Sequence, residues 1–300
     1  MLTNNPFLAQ LKNICEAYAA YPLANRSTFK IGGQAEFAAF PKTQAELCAL
    51  IKLAKTCDVR ARVFGNASNI LFSSEGVSGL VIFTNQIKEI SLEGENIRAS
   101  CGVKLSSFCN LALKNELSGA EFAFGIPGTV GGAVYMNAGA HGGEISHILV
   151  ESTCLDMRTG ETLTLSASEH CFAYRTSVFE KGELLVLSSL FKLRKGTGEE
   201  IEAKMKEYTE KRKASQPLTM PSAGSVFKRP AVGFSGKYIE DAGLKGYKIG
   251  GAQVSEKHAG FIVNAGGATS CDVLALIEKI KTVVSEKFGV MLETEIIYVE

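Results

Sequence analysis

Residues 125–143, GIPGTVGGAVYMNAGAHGG, hold seven of the chain's thirty glycines in 19 positions, where an even spread would place about two. Glycine permits backbone conformations closed to other residues and lets amide N–H groups approach an anion with no Cβ in the way. Such a segment can cradle a pyrophosphate, or it can let a loop pack tightly against a sheet; composition alone leaves both readings open. It is not a P-loop, because no G-K-[ST] follows, and no G-x-G-x-x-G opens a helix after a strand. A second stretch, Phe64 to Leu71 (FGNASNIL), runs from a strand into Gly65, Asn66, Ser68 and Asn69. That turn can offer amides and side-chain donors to phosphates, or be an ordinary polar β-turn.

The 300 residues suffice for about two domains of roughly 100 to 200 residues each. Hydrophobic residues make up 46%, and 32 Lys and Arg against 31 Asp and Glu leave a net charge of +1. That balance excludes a strongly basic nucleic-acid binder and an acidic tail protein, so any cationic site is local. The eight cysteines include no C-x-x-C pair and no zinc-ligand spacing, which fits reduced, mostly buried thiols and no metal centre. The first residues, MLTNNPFLAQLKN, lack a basic region followed by a long apolar one, and no later window approaches 18 apolar residues. A cytoplasmic, monomeric protein without a membrane or nucleic-acid partner is expected.

Apolar spacing predicts an N-terminal helix through Phe7, Leu8, Leu11 and Ile14, and a capping box at Thr43 to Glu46 opens a second helix. Strands are expected at Ala35–Phe40, Arg62–Phe64 and Leu80–Phe83, and a helix at Lys104–Glu116. Short β segments follow from Leu149 to Leu193, with a turn at Arg158 to Gly160. The charged run from Gly196 to Lys213 reads as a solvated helical connector. Beyond it the pattern gives a loop with Gly224, a short helix near Tyr238, a strand at Phe261–Val263, a helix at Asp272–Phe288 and a last strand at Glu295–Val299. The fold class is α+β, with a lead-in at 1–25, a two-lobed domain at 26–195 and a smaller α+β domain at 196–300.

Five stretches occur in order: NRSTFKIGG at 25–33, the Gly65–Leu71 turn, GAEFAFGIPGTVGGAVYMNAG at 119–139, YRTS at 174–177 and PSAGS at 221–225. Together the sequence closely resembles the UDP-N-acetylenolpyruvoylglucosamine reductase family, in its shorter class, from about Asn25 to Glu295. The resemblance implies an FAD-binding domain of the vanillyl-alcohol-oxidase (PCMH) type in two lobes, a third lobe that closes over substrate, non-covalent FAD, and NADPH as co-substrate. It implies cofactor contacts from Gly65, Asn66, Ala67, Ser68 and Asn69, from Gly125, Ile126, Pro127, Gly128 and Thr129, and from Gly132, Ala133, Asn137 and Gly139.

The implied chemistry reduces the enolpyruvyl group of a UDP-sugar. Arg175 of the Y-R-x-S motif holds the substrate carboxylate bidentately, as a guanidinium fork suits, with Tyr174 beside it in substrate binding. Ser225 gives its proton to C2, with Lys228, which like Tyr174 is also expected to bind substrate, stabilising the alkoxide. Of the two C-terminal glutamates, only Glu295, which precedes the apolar Ile296 and Ile297, is expected to face the site, with its pKa raised by desolvation and negative neighbours. Three positions depart from the family pattern: Ala67, expected to be accommodated without positive φ, Arg229, and Gly260. A flavin oxidase of the same superfamily acting on an alcohol or sugar is the rival, with His141 as an imaginable flavin tether. A non-catalytic descendant is disfavoured by the joint presence of Arg175, Ser225 and Glu295.

Overall fold

The computed structural model describes residues 5–300; the first four residues of the 1–25 lead-in lie outside the described residues. Seven α-helices are defined: α1 (Pro6–Ile14), α2 (Gln44–Thr56), α3 (Leu105–Lys114), α4 (Val130–Tyr135), α5 (Gly198–Ser215), α6 (Ser235–Asp241) and α7 (Ser270–Phe288). Their ends follow local chemistry. The Asn5 side chain accepts from the Phe7 amide at the start of α1, and Thr43 accepts from Glu46 at the start of α2. Thr269 and Asp272 form a reciprocal capping box for α7, which stops at Gly289 with φ 66°.

The chain divides into two compact units. One comprises the residues up to Ala19, Phe37–Asn66 and Gly79–Arg212; the other comprises Ala20–Glu36, Ala67–Ser78 and Lys213–Glu300. A four-stranded sheet takes the order Glu16–Pro22, Gln34–Phe40, Val77–Phe83, Ala61–Phe64, the last two parallel, with Ala61 opposite Leu80 and Phe64 opposite Phe83. The first unit holds an antiparallel five-stranded sheet, ordered Thr162–Ser166, Leu149–Asp156, Leu184–Lys192, Asn96–Ser100, Ile90–Glu93. Its core runs from Leu50 and Ile82 through Phe108 and Phe191 to Ile201 and Met205. In the second unit an antiparallel sheet orders Ser222–Ser225, Phe261–Asn264, Ala252–Val254 and Lys248–Ile249. There, Ile297–Val299 also pairs in parallel with Ile70–Phe72. The core of this unit joins Phe29 and Leu71 to Val226, Ile262 and the apolar face of α7.

Four local expectations change. The Gly224 segment is a strand, because Ser222 and Ser225 pair with Val263 and Phe261 across a bulge. The final strand begins at Ile297 rather than Glu295, since Thr294 is tied instead into a bridge with Phe227. The charged α5 is not wholly solvated: Ile201 and Met205, four residues apart on one face, are buried. The glycine-rich segment contains α4, whose small residues mask its periodicity.

Candidate active site

In the first unit, two glycine-bearing segments pack directly on each other. A Cβ at Gly65 would come within 2.1 Å of the Thr129 hydroxyl oxygen, so only glycine fits beneath Thr129. Asn66 donates through Nδ2 to the Pro127 carbonyl at 2.8 Å, and the Leu105 amide donates to the Gly128 carbonyl. The first two amides of α4 donate to the carbonyls of Val103 and Cys101, which fixes that helix on the preceding turn. Thr129 Oγ1 is buried with no hydrogen-bond partner among the described residues, and so is Asn85 Oδ1, whose amide nitrogen lies 3.4 Å from Asn66 Oδ1. Buried polar atoms normally find partners.

Five of the seven glycines in the 125–143 segment fall into two groups. A Cβ at Gly131, Gly139 or Gly143 would clash with Cys101, with Gly143 and Glu144, or with the Phe122 ring; these positions serve packing. At Gly128 and Gly132 a Cβ would meet nothing closer than 3.7 Å, and Gly132 is exposed beside the unpartnered Thr129 hydroxyl. The packing reading therefore holds for the first three, and the last two leave open space beside Thr129. Pro127 and Gly125 are exposed, Ile126 is half-buried, and Ala133 is buried in the core. His141 has φ 53° and stacks on Tyr208 of α5 at 4.2 Å; burial, then Arg212, holds its pKa below the ordinary histidine value.

Arg175 sits in a two-residue turn, Tyr174-Arg175, closed by backbone hydrogen bonds between Ala173 and Thr176. Its φ of 56° is rare for a long side chain. The guanidinium lies 5.2 Å from the centroid of the exposed Tyr174 ring and donates through Nη2 to the Gly139 carbonyl at 2.8 Å. Asn137, fully buried with φ 42°, donates to Glu144 Oε1 and to the Ala173 carbonyl and accepts from the Ser146 amide. Its side chain is thus committed inside the protein. Neither Asn85 nor Glu144 was legible in advance: Asn85 lies outside every glycine-rich stretch, and Glu144 follows the segment as one carboxylate among 31.

The second unit holds the other candidates. Ala67 is buried and has φ 47°, so the turn takes a left-handed residue there, contrary to the expectation of negative φ; the small Cβ keeps that strain tolerable. The amides of Ala67 and Ser68 have no partner among the described residues. Asn69 donates through Nδ2 to the Glu295 carbonyl at 3.0 Å and accepts from the Ile297 amide. The Glu295 amide donates to the Val226 carbonyl at 2.7 Å, next to Ser225. Backbone bonds thereby bring Asn69, Ser225 and Glu295 together. Ser225, half-buried, donates through Oγ to the Phe227 carbonyl at 3.2 Å. Gly260 lies beside it: a Cβ there would sit 3.6 Å from Ser225 Oγ, and its carbonyl accepts from the Val226 amide. Lys228 forms an ion pair with Glu293 at 2.6 Å, so the two glutamates separate, Glu293 toward Lys228 and Glu295 tied by its backbone to Val226. Arg229 lies over the exposed Phe234 ring at 4.2 Å.

No cluster of three or more His, Cys, Asp or Glu side chains able to hold a metal occurs among the described residues. An anionic cofactor fits the unpartnered hydroxyl of Thr129 and the open faces of Gly128 and Gly132.

Known proteins resemble this chain along most of its length. A family model described as FAD binding domain matches residues 35–166, and one described as UDP-N-acetylenolpyruvoylglucosamine reductase, C-terminal domain, matches residues 216–299. A protein named UDP-N-acetylenolpyruvoylglucosamine reductase from Caldanaerobacter subterraneus is 47% identical over 279 residues, covering 93% of this chain and 92% of the relative. One of the same name from Streptococcus pneumoniae is 45% identical over 275 residues, covering 92% and 91%. The crystal structure of the Thermus caldophilus reductase superposes with a TM-score of 0.81 at 33% identity, over 95% of this chain and 98% of that one. A pollen protein variant titled a glucose oxidase matches at TM-score 0.50 and 15% identity, over 64% of this chain and 44% of its own, which is a likeness of fold alone. With α+β lobes, an FAD-type domain and relatives matched nearly end to end, the chain belongs to the UDP-N-acetylenolpyruvoylglucosamine reductase family of FAD-containing oxidoreductases.

Proposed function

We propose that this chain reduces UDP-N-acetylglucosamine enolpyruvate to UDP-N-acetylmuramate with NADPH, in the cytoplasm, as a step of peptidoglycan precursor synthesis and hence of cell-wall growth and division. We take residues 26–195 as the FAD-binding segment and 196–300 as the substrate-binding one, in a monomer. Bound here, FAD would supply the hydride relay between NADPH and C3 of the enolpyruvyl group. The observation that carries the reading is the coincidence of a family-length match with an unpartnered buried hydroxyl, Thr129, among glycines of the FAD-type domain.

The chain's own residues then have separable duties. Thr129, Gly128, Gly132 and the 65–69 turn hold the cofactor's anionic groups. Arg175 fixes the substrate carboxylate, into which negative charge spreads as C3 gains hydrogen; a planar, permanently charged fork gains interaction as that charge grows. Ser225 Oγ–H transfers its proton to C2 once the carbon is basic enough to take it. The serine oxygen, briefly anionic, is reprotonated from solvent, and its stabilisation is assigned to the Lys228 ammonium, which in the free protein pairs with Glu293. Glu295 helps an anionic intermediate only as a protonated acid or by holding a donor in place.

The test is twofold. Purified protein should be yellow, and precipitation by denaturant should leave the colour in the supernatant, as a non-covalent flavin does. Incubation with NADPH and the enolpyruvyl UDP-sugar should then convert that sugar to a product carrying two more hydrogens. A colourless protein that stays so after refolding with FAD, or colour that stays with the pellet, contradicts the reading.

A further inference from the structure

Arg175 is held in an unfavourable backbone conformation, and the groups that hold it form a connected chain within the first unit. Gly139, whose carbonyl takes the Arg175 Nη2 proton, lies in a small hairpin in which Gly139 faces Glu144 and Ala140 faces Gly143. Glu144 Oε1 accepts from Asn137 Nδ2 at 3.1 Å and from the Ser146 hydroxyl. The same Asn137 nitrogen donates to the Ala173 carbonyl at 3.1 Å, the residue that opens the Tyr174-Arg175 turn. One carboxylate oxygen thus fixes the amide that bridges both anchors of Arg175: the hairpin that takes its guanidinium proton and the turn that sets its backbone. The carboxyl is held below the ordinary glutamate range by the Ser146 hydroxyl, against burial, with further help from Asn137, His147 and Arg175. It therefore stays an acceptor at neutral pH.

We propose that Glu144 is a positioning residue for substrate reduction, acting through Asn137 to hold Arg175 in register with the substrate carboxylate. The inference rests on the proposed role of Arg175. It needs the acceptor oxygen of Glu144 rather than its charge, so glutamine, which keeps that oxygen, should substitute. Glu144 is about one-third exposed at its side chain (34%), so its replacement is a milder disturbance than that of the fully buried Asn137.

The experiment uses FAD-loaded enzyme and stopped flow. Glu144→Ala should slow flavin reoxidation by the enolpyruvyl UDP-sugar about 10- to 100-fold, as small misplacements of a substrate-holding group do. NADPH-driven flavin reduction should stay within about twofold of the parent, since that half-reaction does not use the carboxylate clamp. Glu144→Gln should restore reoxidation to within about threefold, because the hydrogen bonds to Asn137 and Ser146 survive. Adding Glu144→Ala to Arg175→Lys should cost nothing further, since the two act as one unit. Independently of turnover, amide exchange at Thr176, which donates to Ala173, should quicken in Glu144→Ala and not in Glu144→Gln. Parent-like reoxidation in Glu144→Ala, equal slowing of both half-reactions, or additivity with Arg175→Lys would overturn the proposal. If Arg175→Lys alone leaves reoxidation intact, the role given to Arg175 fails instead, and Thr176 exchange still decides whether Glu144 braces the turn.

Discussion

Arg175 and Ser225 are seated in opposite ways. Arg175 sits at φ 56° in a turn with its guanidinium on a carbonyl 2.8 Å away, backed by buried Asn137 and by Glu144. Ser225 lies at the end of a short bulged strand, fixed by backbone pairing with Phe261, while its hydroxyl makes a single long bond, 3.2 Å, to Phe227 two residues away. A group that must hold an anion in one orientation gains from rigid side-chain anchoring. A group that must give up a proton gains from a weak existing bond, since that bond must break on transfer.

The largest effect expected is at Ser225. Ser225→Ala should leave flavin reduction by NADPH near the parent rate and slow reoxidation by substrate about 10²- to 10⁴-fold, the usual worth of a general acid. Ser225→Cys should retain more activity than Ala, because a thiol, with a reference pKa of about 8.5, is the better acid. Stopped-flow absorbance of the oxidised flavin separates the two steps; equal slowing of both would make Ser225 a strand residue only. Arg175→Lys comes next, with reoxidation slowed about 10²-fold and reduction little changed, because lysine keeps charge but loses the fork. A lysine variant with parent-like reoxidation would remove the reason for the anchored seat.

The same contrast recurs inside the first unit between two buried polar groups. Thr129 has no partner among the described residues. His170, fully buried, is saturated: Nδ1 lies 2.8 Å from the Ser166 carbonyl and Nε2 2.8 Å from the Ser152 hydroxyl, which meets Ser189 at 2.7 Å. A carbonyl only accepts, so Nδ1 carries the proton and Nε2 accepts from Ser152. Thr129→Val should weaken FAD binding about tenfold, roughly the worth of one hydrogen bond to a charged group, with folding stability unchanged or raised; equilibrium dialysis and urea titration check both. The smallest effect belongs to His170. Burial lowers its pKa, so its contribution to stability is present above the ordinary histidine value and fades as pH falls, when the unfolded chain takes up a proton that the folded one resists. The urea midpoint should drop between about pH 7 and about pH 5, and His170→Gln should flatten that drop.

These seats differ in how far the sequence revealed them. Apolar spacing located α1, α2, α3 and α7 and the strands that end at Phe40 and Phe83, because each buries one face against a core. It missed α4, where glycine and alanine carry no apolar rhythm, and the Ser222–Ser225 strand, which pairs through residues typical of loops. The family resemblance marked Arg175, Ser225 and Glu295, but the bracing of Arg175 by Asn137 and Glu144 depends on a hairpin and a turn far apart in the chain. Such contacts leave no local pattern to read. Ala67 shows the reverse limit: its left-handed backbone follows from the turn around it, whereas alanine at that position argues against it.

The central claim is that one bound flavin is reduced by NADPH and reoxidised by the enolpyruvyl UDP-sugar, with the duties of Arg175 and Ser225 confined to the second step. The most direct measurement is anaerobic reduction of the FAD-loaded protein by one equivalent of NADPH, followed by mixing with that sugar. Bleaching on the first mixing and full recovery of the oxidised-flavin absorbance on the second, matched mole for mole by UDP-N-acetylmuramate, is the predicted result. Bleaching that reverses only when oxygen is admitted, with the sugar unchanged, would contradict it.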